Sequence, residues 1–304
     1  MITIDNPLVS IGIPVYNEGQ FLEHTLKSII EIDYPNLEII IVDNASTDRA
    51  SAIAANFAKH DHRINYAREN ENRGAIHSLN TTFERARGKY FLWSGGHDLW
   101  RPDILRLCIP ILEQDTNTIL AFPKTTFIDE EGAEIRSDTF ANLDTRGLNQ
   151  ISRYGKLLWH LRSCSILHGV WRRSVLPSQA PLPSMLSCDD LLLSRMALRG
   201  AFASVPEAEW FRREVHRNQS NSDQTKRRIK DLNLNPSEQN QSLFKVHLVL
   251  ATQEIHAPLS RIRFTLLTCL IFAARNIGRT GFVRKIPRPW KELLLRLAEV
   301  ISKG

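Results

Sequence analysis

The stretch Val9-Ser10-Ile11-Gly12-Ile13-Pro14-Val15 decides the fold, because a short apolar run rich in β-branched residues is typical of a buried strand. It ends in the polar residues Tyr16-Asn17-Glu18, after which apolar residues recur at helical spacing as far as Ile30. Similar strand-then-helix units follow, with strands predicted at 37–42, 64–67 and 89–92. Strands that alternate with helices at short spacing predict βαβ units and a mainly parallel sheet.

Polar residues stand directly after three of these strands: Asn17, Glu18, Asp43, His97 and Asp98. Because the carboxyl ends of parallel strands meet at one edge, we expect these side chains to converge there, where open α/β sheets bind ligands. His97 and Asp98 are also both possible metal ligands. The alternative interpretation of this last segment is a strand-to-helix turn, with Asp98 as N-cap and Pro102 in the first helical turn.

Past residue 115 the pattern changes to shorter strands and scattered helices. Strands are predicted at 119–122, 125–128, 165–171, 203–205 and 210–215, with a hairpin turn at 129–132 and helices at 147–162 and 188–198. The helix at 188–198 carries Asp189 and Asp190 in its first turn and ends at Arg199-Gly200. Beyond about residue 237 the apolar spacing predicts helices at 243–253, 262–274 and 290–301.

Charge is unevenly distributed along the 304 residues, whose net charge is +6. Residues 1–211 hold 21 Lys and Arg against 26 Asp and Glu, whereas residues 212–304 hold 18 against 7. A basic tail favours an anionic partner such as a membrane surface, or else forms a solvated face. It contains no recognised nucleic-acid-binding module, so nucleic acid is not an expected partner.

The apolar run 264–274 has 11 residues, whereas a membrane span needs about 20. It predicts either a helix lying in a membrane interface or a helix packed on the domain. The first residues show no basic segment followed by an apolar one, and the four cysteines lack C-x-x-C spacing. We therefore expect no signal peptide, no disulfide framework and no structural zinc site. These features favour a reducing, cytoplasmic setting.

Four segments, in order, resemble family 2 glycosyltransferases: Ile13–Glu18, Val42–Asp48, Asn72–Gly74 and His97-Asp98. The resemblance covers about residues 8–220. It implies an α/β fold of GT-A type, in which a mostly parallel sheet flanked by helices combines a Rossmann-like nucleotide-sugar-binding half with an acceptor half. We accordingly expect a domain at 1–235, divided into halves at 8–115 and 116–235, and a basic helical C-terminal extension at 236–304.

The resemblance also implies roles for individual residues. The expected donor-binding residues are Pro14, Tyr16, Asn17, Glu18, Asp43, Arg73, Gly96 and Arg213. Asp189 matches the position of the base that takes the acceptor proton, and Asp190 is the second choice. Adjacent helical positions point about 100° apart, so these two carboxylates should not share one task.

The metal motif departs from the family pattern. Where the family has Asp-x-Asp-Asp, this chain has Gly95-Gly96-His97-Asp98. The expected ligands of a divalent cation, Mn²⁺ or Mg²⁺, are His97, Asp98 and His216. Three outcomes stay open: a His/Asp-held Mn²⁺, basic residues that take over the diphosphate, or weakened catalysis.

The resemblance implies an inverting glycosyltransferase that moves a sugar from a nucleotide-diphosphate-sugar to an acceptor hydroxyl, in cell-surface polysaccharide or glycolipid synthesis. The basic tail makes a glycan or lipid-linked acceptor an expected partner, with the enzyme cytoplasmic or peripheral at the cytoplasmic membrane face. The alternative is a catalytically silent protein of the same fold that binds a nucleotide-sugar, a glycan or a partner protein.

Overall fold

A nine-stranded mixed sheet forms the centre of the protein, here described from a computed structural model that covers residues 6–161, 163–179, 181–215, 223, 226, 229–235, 243–255 and 258–277. Its strands are Val9–Val15 (β1), Leu37–Asp43 (β2), Ile64–Arg68 (β3), Tyr90–Trp93 (β4), Leu99–Trp100 (β5), Thr118–Ile128 (β6), Glu134–Asp138 (β7), Val170–Arg172 (β8) and Ala201–Arg213 (β9). They are ordered β3-β2-β1-β4-β8-β6-β9-β5, with β7 beside β6.

The helices flank this sheet. They are Leu22–Ile30 (α1), Ala50–His60 (α2), Ala75–Glu84 (α3), Ile104–Gln114 (α4), Gln150–His160 (α5), Cys188–Arg199 (α6), Leu243–Glu254 (α7) and Pro258–Ile277 (α8). Short 3₁₀ turns lie at Ala141–Leu143, Cys164–His168 and Arg173–Val175.

The first half is the predicted parallel unit, because β1 pairs in parallel with β2 and β4, and β2 with β3. Every residue of β2 is buried, as expected for a strand covered by helices on both faces. Gly12 lets α3 approach β1 closely, since a Cβ there would lie 2.7 Å from Thr82 Oγ1. The carboxyl ends of β1, β2 and β4 therefore meet at one edge of the sheet.

The second half joins this unit through β8, which pairs antiparallel with both β4 and β6. The two strands predicted at 119–122 and 125–128 are one strand, because Pro123 sits at a register shift where no ladder N–H is required. The strands predicted at 203–205 and 210–215 are likewise one, with its extra residues accommodated at that shift. The strand predicted at 165–171 is wrong for its first part, which forms a 3₁₀ turn before β8.

The segment after β4 also differs from one expectation. The following helix, α4, begins at Ile104 after the cap residue Asp103, so Asp98 is not its N-cap and Pro102 precedes the first turn. Residues Leu99–Trp100 instead form β5, antiparallel to β9. The N-cap interpretation of Asp98 is therefore wrong, which leaves its carboxylate for other contacts.

The helices α7 and α8 share a core with the sheet. Phe264, Leu267 and Ile271 of α8 are buried in the cluster that contains Trp93 and other sheet residues. The predicted helix at 290–301 lies outside the described residues. Of the helices that are described, none is long and apolar enough to cross a bilayer.

Candidate active site

A cavity of about 540 Å³ lies at the carboxyl ends of β1, β2 and β4. Its wall contains Pro14, Tyr16, Asn17, Glu18, Asn44 and His97, and the first turns of α3 contribute Ala75, Ser78 and Leu79. Three of the residues expected at this edge of the sheet, Asn17, Glu18 and His97, thus line the cavity, together with Pro14 and Tyr16 from the expected donor-binding set. Tyr16 is 42% exposed and lines this cavity.

The loops after β1 and β2 hold one another in place. Asn17 has a left-handed backbone (φ 55°), and its backbone N–H donates to Ser46 Oγ at 3.0 Å. Its side-chain Oδ1 accepts from the backbone N–H of Thr47 at 2.8 Å. The N–H of Gly19 donates to Asp48 Oδ2 at 2.7 Å. Such strained non-glycine residues are frequent at functional sites, and here the second loop maintains the conformation.

The Asp43 carboxylate is fully buried beside the cavity and is engaged by protein groups. It accepts hydrogen bonds from the backbone N–H of Ser46 (2.8 Å), from Tyr66 Oη (3.1 Å) and from Ser51 Oγ, and pairs with Arg68 Nη1 (2.8 Å). Burial opposes ionisation, but the hydrogen bonds from Ser46 and Ser51 outweigh it and hold the pKa of Asp43 below its usual value. Asp43 therefore fixes the loop that follows β2.

Asn44, the next residue, lines the cavity instead. Its Nδ2 donates to Asn72 Oδ1 at 2.8 Å, and its Oδ1 accepts from the backbone N–H of Arg73 at 2.9 Å. The Arg73 side chain is exposed at the start of α3. Asn44 was not predicted, although its place within Val42–Asp48 is a signal that could have identified it.

His97 lies between two carboxylates. Its Nδ1 is 3.1 Å from Glu18 Oε2, and its Nε2 is 3.8 Å from Asp98 Oδ1. Burial lowers the pKa of His97, but the charges of Glu18 and Asp98 outweigh burial and raise it to about 9. Gly96 allows this arrangement, because a Cβ at that position would collide with the Glu18 carboxylate.

Arg213 contacts Asp98 and the backbone of His97 beside the cavity. Its backbone N–H donates to Asp98 Oδ1 at 3.0 Å, and its Nε donates to the carbonyl oxygen of His97 at 3.0 Å. Its Nη1 donates to the carbonyl of Asp129 at 2.7 Å, in the hairpin turn after β6, and its guanidinium lies 4.8 Å from the ring centroid of Phe21. The structure therefore gives Arg213 contacts to the site's backbone.

Two further residues near Asp98 were not predicted. His168 Nδ1 lies 3.0 Å from the carbonyl oxygen of Trp93, its ring stacks on Trp210 at 4.6 Å, and burial lowers its pKa to about 4. Arg212 Nη1 donates to Ser165 Oγ at 2.8 Å. Neither residue belongs to a recognisable sequence pattern, because they come together only through the pairing of β8, β6 and β9.

The structure describes two of the three predicted metal ligands. Asp98 is buried and adjacent to His97, but His216 lies outside the described residues. Within the described ranges, no three His, Cys, Asp or Glu side chains are grouped as metal ligands. Of the two described residues predicted as ligands, His97 has a nitrogen donor only in its unprotonated form and Asp98 has oxygen donors, and such a pair suits Mn²⁺ better than Mg²⁺.

Asp189 and Asp190 lie in the first turn of α6, after Ser187 in a left-handed conformation (φ 61°). The backbone N–H of Asp190 donates to Asp189 Oδ1 at 3.0 Å, and Ser194 Oγ donates to Asp190 Oδ1 at 3.4 Å. His247 Nε2 of α7 is 3.7 Å from Asp190 Oδ1. The two carboxylates thus have different surroundings, as their angular separation predicts, and neither belongs to the wall of the 540 Å³ cavity.

The fold is found in solved glycosyltransferases of GT-A type. S. aureus TarS 1–349 in complex with UDP-GlcNAc superposes with a TM-score of 0.63 at 14% identity, over 93% of this chain and 77% of that one. The mannosyltransferase PcManGT from Pyrobaculum calidifontis, solved with GDP-Man and Mn²⁺, gives 0.53 at 17% identity, over 99% of this chain and 87% of that one. The architecture is therefore that of a GT-A protein, as expected.

The model of the family "Glycosyl transferase family 2" matches residues 10–176, more than half of the chain. The chain belongs to this family. It is 38% identical over 99 residues to a putative teichuronic acid biosynthesis glycosyltransferase, TuaG, of Bacillus subtilis, a stretch that covers 33% of this chain. It is 33% identical over 129 residues, 42% of this chain, to an uncharacterized glycosyltransferase of Rickettsia prowazekii. The match spans 39% of the length of each relative.

Proposed function

We propose that this chain is an inverting glycosyltransferase that moves a sugar from a nucleotide-diphosphate-sugar to an acceptor hydroxyl. The observation that carries the proposal is the cavity at the carboxyl ends of β1, β2 and β4, walled by Tyr16, Asn17, Glu18 and His97 in a family 2 chain. The ligands of TarS and PcManGT, UDP-GlcNAc and GDP-Man, support a nucleotide-sugar donor. The name of TuaG, which refers to teichuronic acid biosynthesis, supports a cell-surface polysaccharide or glycolipid product.

The donor would bind through the cavity wall. Tyr16 offers its ring to the base, and the amides of Asn17 and Asn44 offer both donors and acceptors. Arg73 supplies an exposed cation at the start of α3, where the helix dipole also favours a phosphate. Asp43, expected from the sequence to accept from the base, enters the proposal as the residue that holds Asn44 in place.

The transfer itself needs a base and a stabilised leaving group. The acceptor oxygen forms the new bond to the anomeric carbon on the face opposite the leaving group, its proton passes to the Asp189 carboxylate, and the sugar–phosphate bond breaks with its electron pair on the nucleoside diphosphate. Mn²⁺ or Mg²⁺ bound by His97, Asp98 and His216 would supply Lewis-acid stabilisation of that diphosphate.

A donor panel tests this proposal. Release of nucleoside diphosphate is measured from UDP-, GDP- and dTDP-sugars, with and without Mn²⁺, for wild type and for Asp189→Asn and Asp190→Asn. We expect Asp189→Asn to lower kcat by about 10²- to 10⁴-fold, the range for loss of a general base, with a smaller effect of Asp190→Asn. Unchanged turnover in Asp189→Asn would show that the base assignment is wrong.

The altered motif Gly95-Gly96-His97 favours a second candidate function, a silent GT-A protein that binds its ligand without turnover. The same panel separates the two when donor binding is measured by calorimetry beside product release. Binding of a donor without release of its diphosphate, at every metal concentration, would replace the first proposal by the second.

Contact with a membrane surface at the cytoplasmic face is part of the proposal. Ile262 and Leu266 lie one turn apart on α8 and are 57% and 50% exposed, and Val249 of α7 is 51% exposed. These apolar side chains lie within the basic segment 212–304, a combination that favours anionic lipid. We expect co-sedimentation with phosphatidylglycerol vesicles at low salt, weakened in Ile262→Ser and Leu266→Ser. No binding by wild type would refute it.

A further inference from the structure

A buried polar network connects α6 to the two helices of the basic C-terminal segment. It consists of Asp190 on α6, His247 on α7, Tyr154 on α5 and Thr268 on α8. Tyr154, His247 and Thr268 are each fully buried. Tyr154 Oη lies 3.0 Å from His247 Nδ1 and 3.1 Å from Thr268 Oγ1, and His247 Nε2 lies 3.7 Å from Asp190 Oδ1.

The direction of hydrogen bonding follows from proton counting. Thr268 Oγ1 donates its only hydrogen to the carbonyl oxygen of Phe264 at 2.8 Å, so it must accept from Tyr154. Tyr154 then has no second hydrogen, and accepts from an Nδ1–H of His247. The ring edge carrying Nε2 faces the Asp190 carboxylate at 3.7 Å, which is beyond hydrogen-bond range, so His247 reaches the first turn of α6 through a close polar contact and not through a hydrogen bond.

A second contact joins α7 to α6 at the far end. Glu254 pairs with Arg195 at 2.6 Å and with Arg199 at 3.0 Å. The α7 helix is therefore attached to α6 twice, once by His247 at the turn that bears Asp189 and once by Glu254 near the C-terminus of α6. The two attachments stabilise the same pair of helices, but only the first one contacts the residue next to Asp189.

We propose that His247 is a positioning residue, which acts through Asp190 to orient the first turn of α6 and with it the Asp189 carboxylate. The inference rests on the proposed function for its catalytic consequence. The Asp190 backbone N–H donates to Asp189 Oδ1, so movement of Asp190 changes a contact of the base itself. Misplacement of a reacting group by about 1 Å costs on the order of a hundredfold in rate.

The test compares His247→Phe, His247→Gln and Glu254→Gln in the full chain. His247→Phe keeps a ring without its polar contacts, His247→Gln keeps a polar side chain between Tyr154 and Asp190, and Glu254→Gln weakens the second attachment. We expect His247→Phe to lower kcat for diphosphate release by about ten- to a hundredfold with donor KM unchanged, since alignment alone is lost. His247→Gln should retain most of kcat, and Glu254→Gln should lower thermal stability while leaving kcat unchanged.

Hydrogen exchange gives a readout that does not depend on activity. His247→Phe should accelerate exchange of the amides in the first turn of α6, and Glu254→Gln those near its C-terminus. Wild-type kcat in His247→Phe, or an equal loss in Glu254→Gln, would overturn the inference, as would unchanged exchange in the first turn. If His247→Phe does not fold, Tyr154→Phe serves as the test variant and should lower kcat by a smaller factor. Wild-type kcat in Tyr154→Phe would also overturn the inference. A wild type without turnover, with the exchange effect present, would instead refute the proposed function.

Discussion

Replacing Leu267 by alanine should destabilise the whole domain, because the side chain belongs to the core although it lies in the tail. Leu267 is 1% exposed, and its Cδ2 would lie 2.7 Å from a Cβ placed on Gly155 of α5. This close approach leaves a void when the side chain is truncated. Buried Leu→Ala changes cost about 2–5 kcal/mol of unfolding free energy, the larger values where the neighbours cannot collapse.

The neighbouring residue supplies the control. Leu266 is 50% exposed on the same helix, so Leu266→Ala should change the unfolding free energy by less than about 0.5 kcal/mol. Urea unfolding followed by circular dichroism measures both variants, and Leu267→Ala should lower the midpoint by about 1 M at unchanged slope. Equal midpoints for the two variants would refute the conclusion that α8 shares the core of the sheet.

Three other predictions concern the cavity. Asp43→Asn should cost about 1–3 kcal/mol at pH 7, because the buried hydrogen bonds lose their charged acceptor. Because folding lowers the pKa of Asp43, its charged form stabilises the fold above the unfolded pKa of about 3.9, and this stabilisation is lost as the pH falls through the folded pKa. The unfolding free energies of wild type and Asp43→Asn should therefore converge in acid. A difference that stays constant with pH would contradict this. His97→Asp should bind Mn²⁺ about tenfold more tightly by electron paramagnetic resonance, since carboxylates suit Mn²⁺, and unchanged affinity would place position 97 away from the metal. Gly96→Ala should weaken nucleoside-diphosphate binding in calorimetry, because the added Cβ displaces Glu18 from His97; wild-type affinity would show that this pair does not shape the donor site.

The parallel half of the fold was predictable because each strand there is a local signal followed by a local stop. Val9–Val15 and Leu37–Asp43 form within a residue of their predicted ends. The second half was less predictable, since Pro123 and the residues after Val205 look like strand ends and are in fact absorbed by one register shift. That shift depends on pairing between segments about 80 residues apart, which no short window of sequence contains.

The positions of the site residues were predictable where they lie in loops that follow strands. Which of these side chains face the cavity was less predictable, because that depends on the direction of each side chain. Asp43 was identified by its position, but its carboxylate points to Ser51, Tyr66 and Arg68, and Asn44 faces the cavity. His168 was missed because its partners, the Trp93 carbonyl and the Trp210 ring, come from distant strands. For α8 the sequence left two alternatives open, a helix in a membrane interface and a helix packed on the domain. The burial of Phe264 and Leu267 shows that one face of α8 packs on the domain.

The register shift after Pro123, where β6 pairs with β9, also restricts how this chain can change length. Pro123 pairs with Val205 and Lys124 with Glu209, so three residues of β9 are looped out against none of β6. Neighbouring strand residues face opposite sides, so inserting one residue there would exchange the sides of Arg212 and Arg213 and detach the latter from His97 and Asp98. Insertions or deletions that are tolerated here should therefore change only the length of the looped-out segment. They should leave the pairing register of residues 209–213 with β6 unchanged.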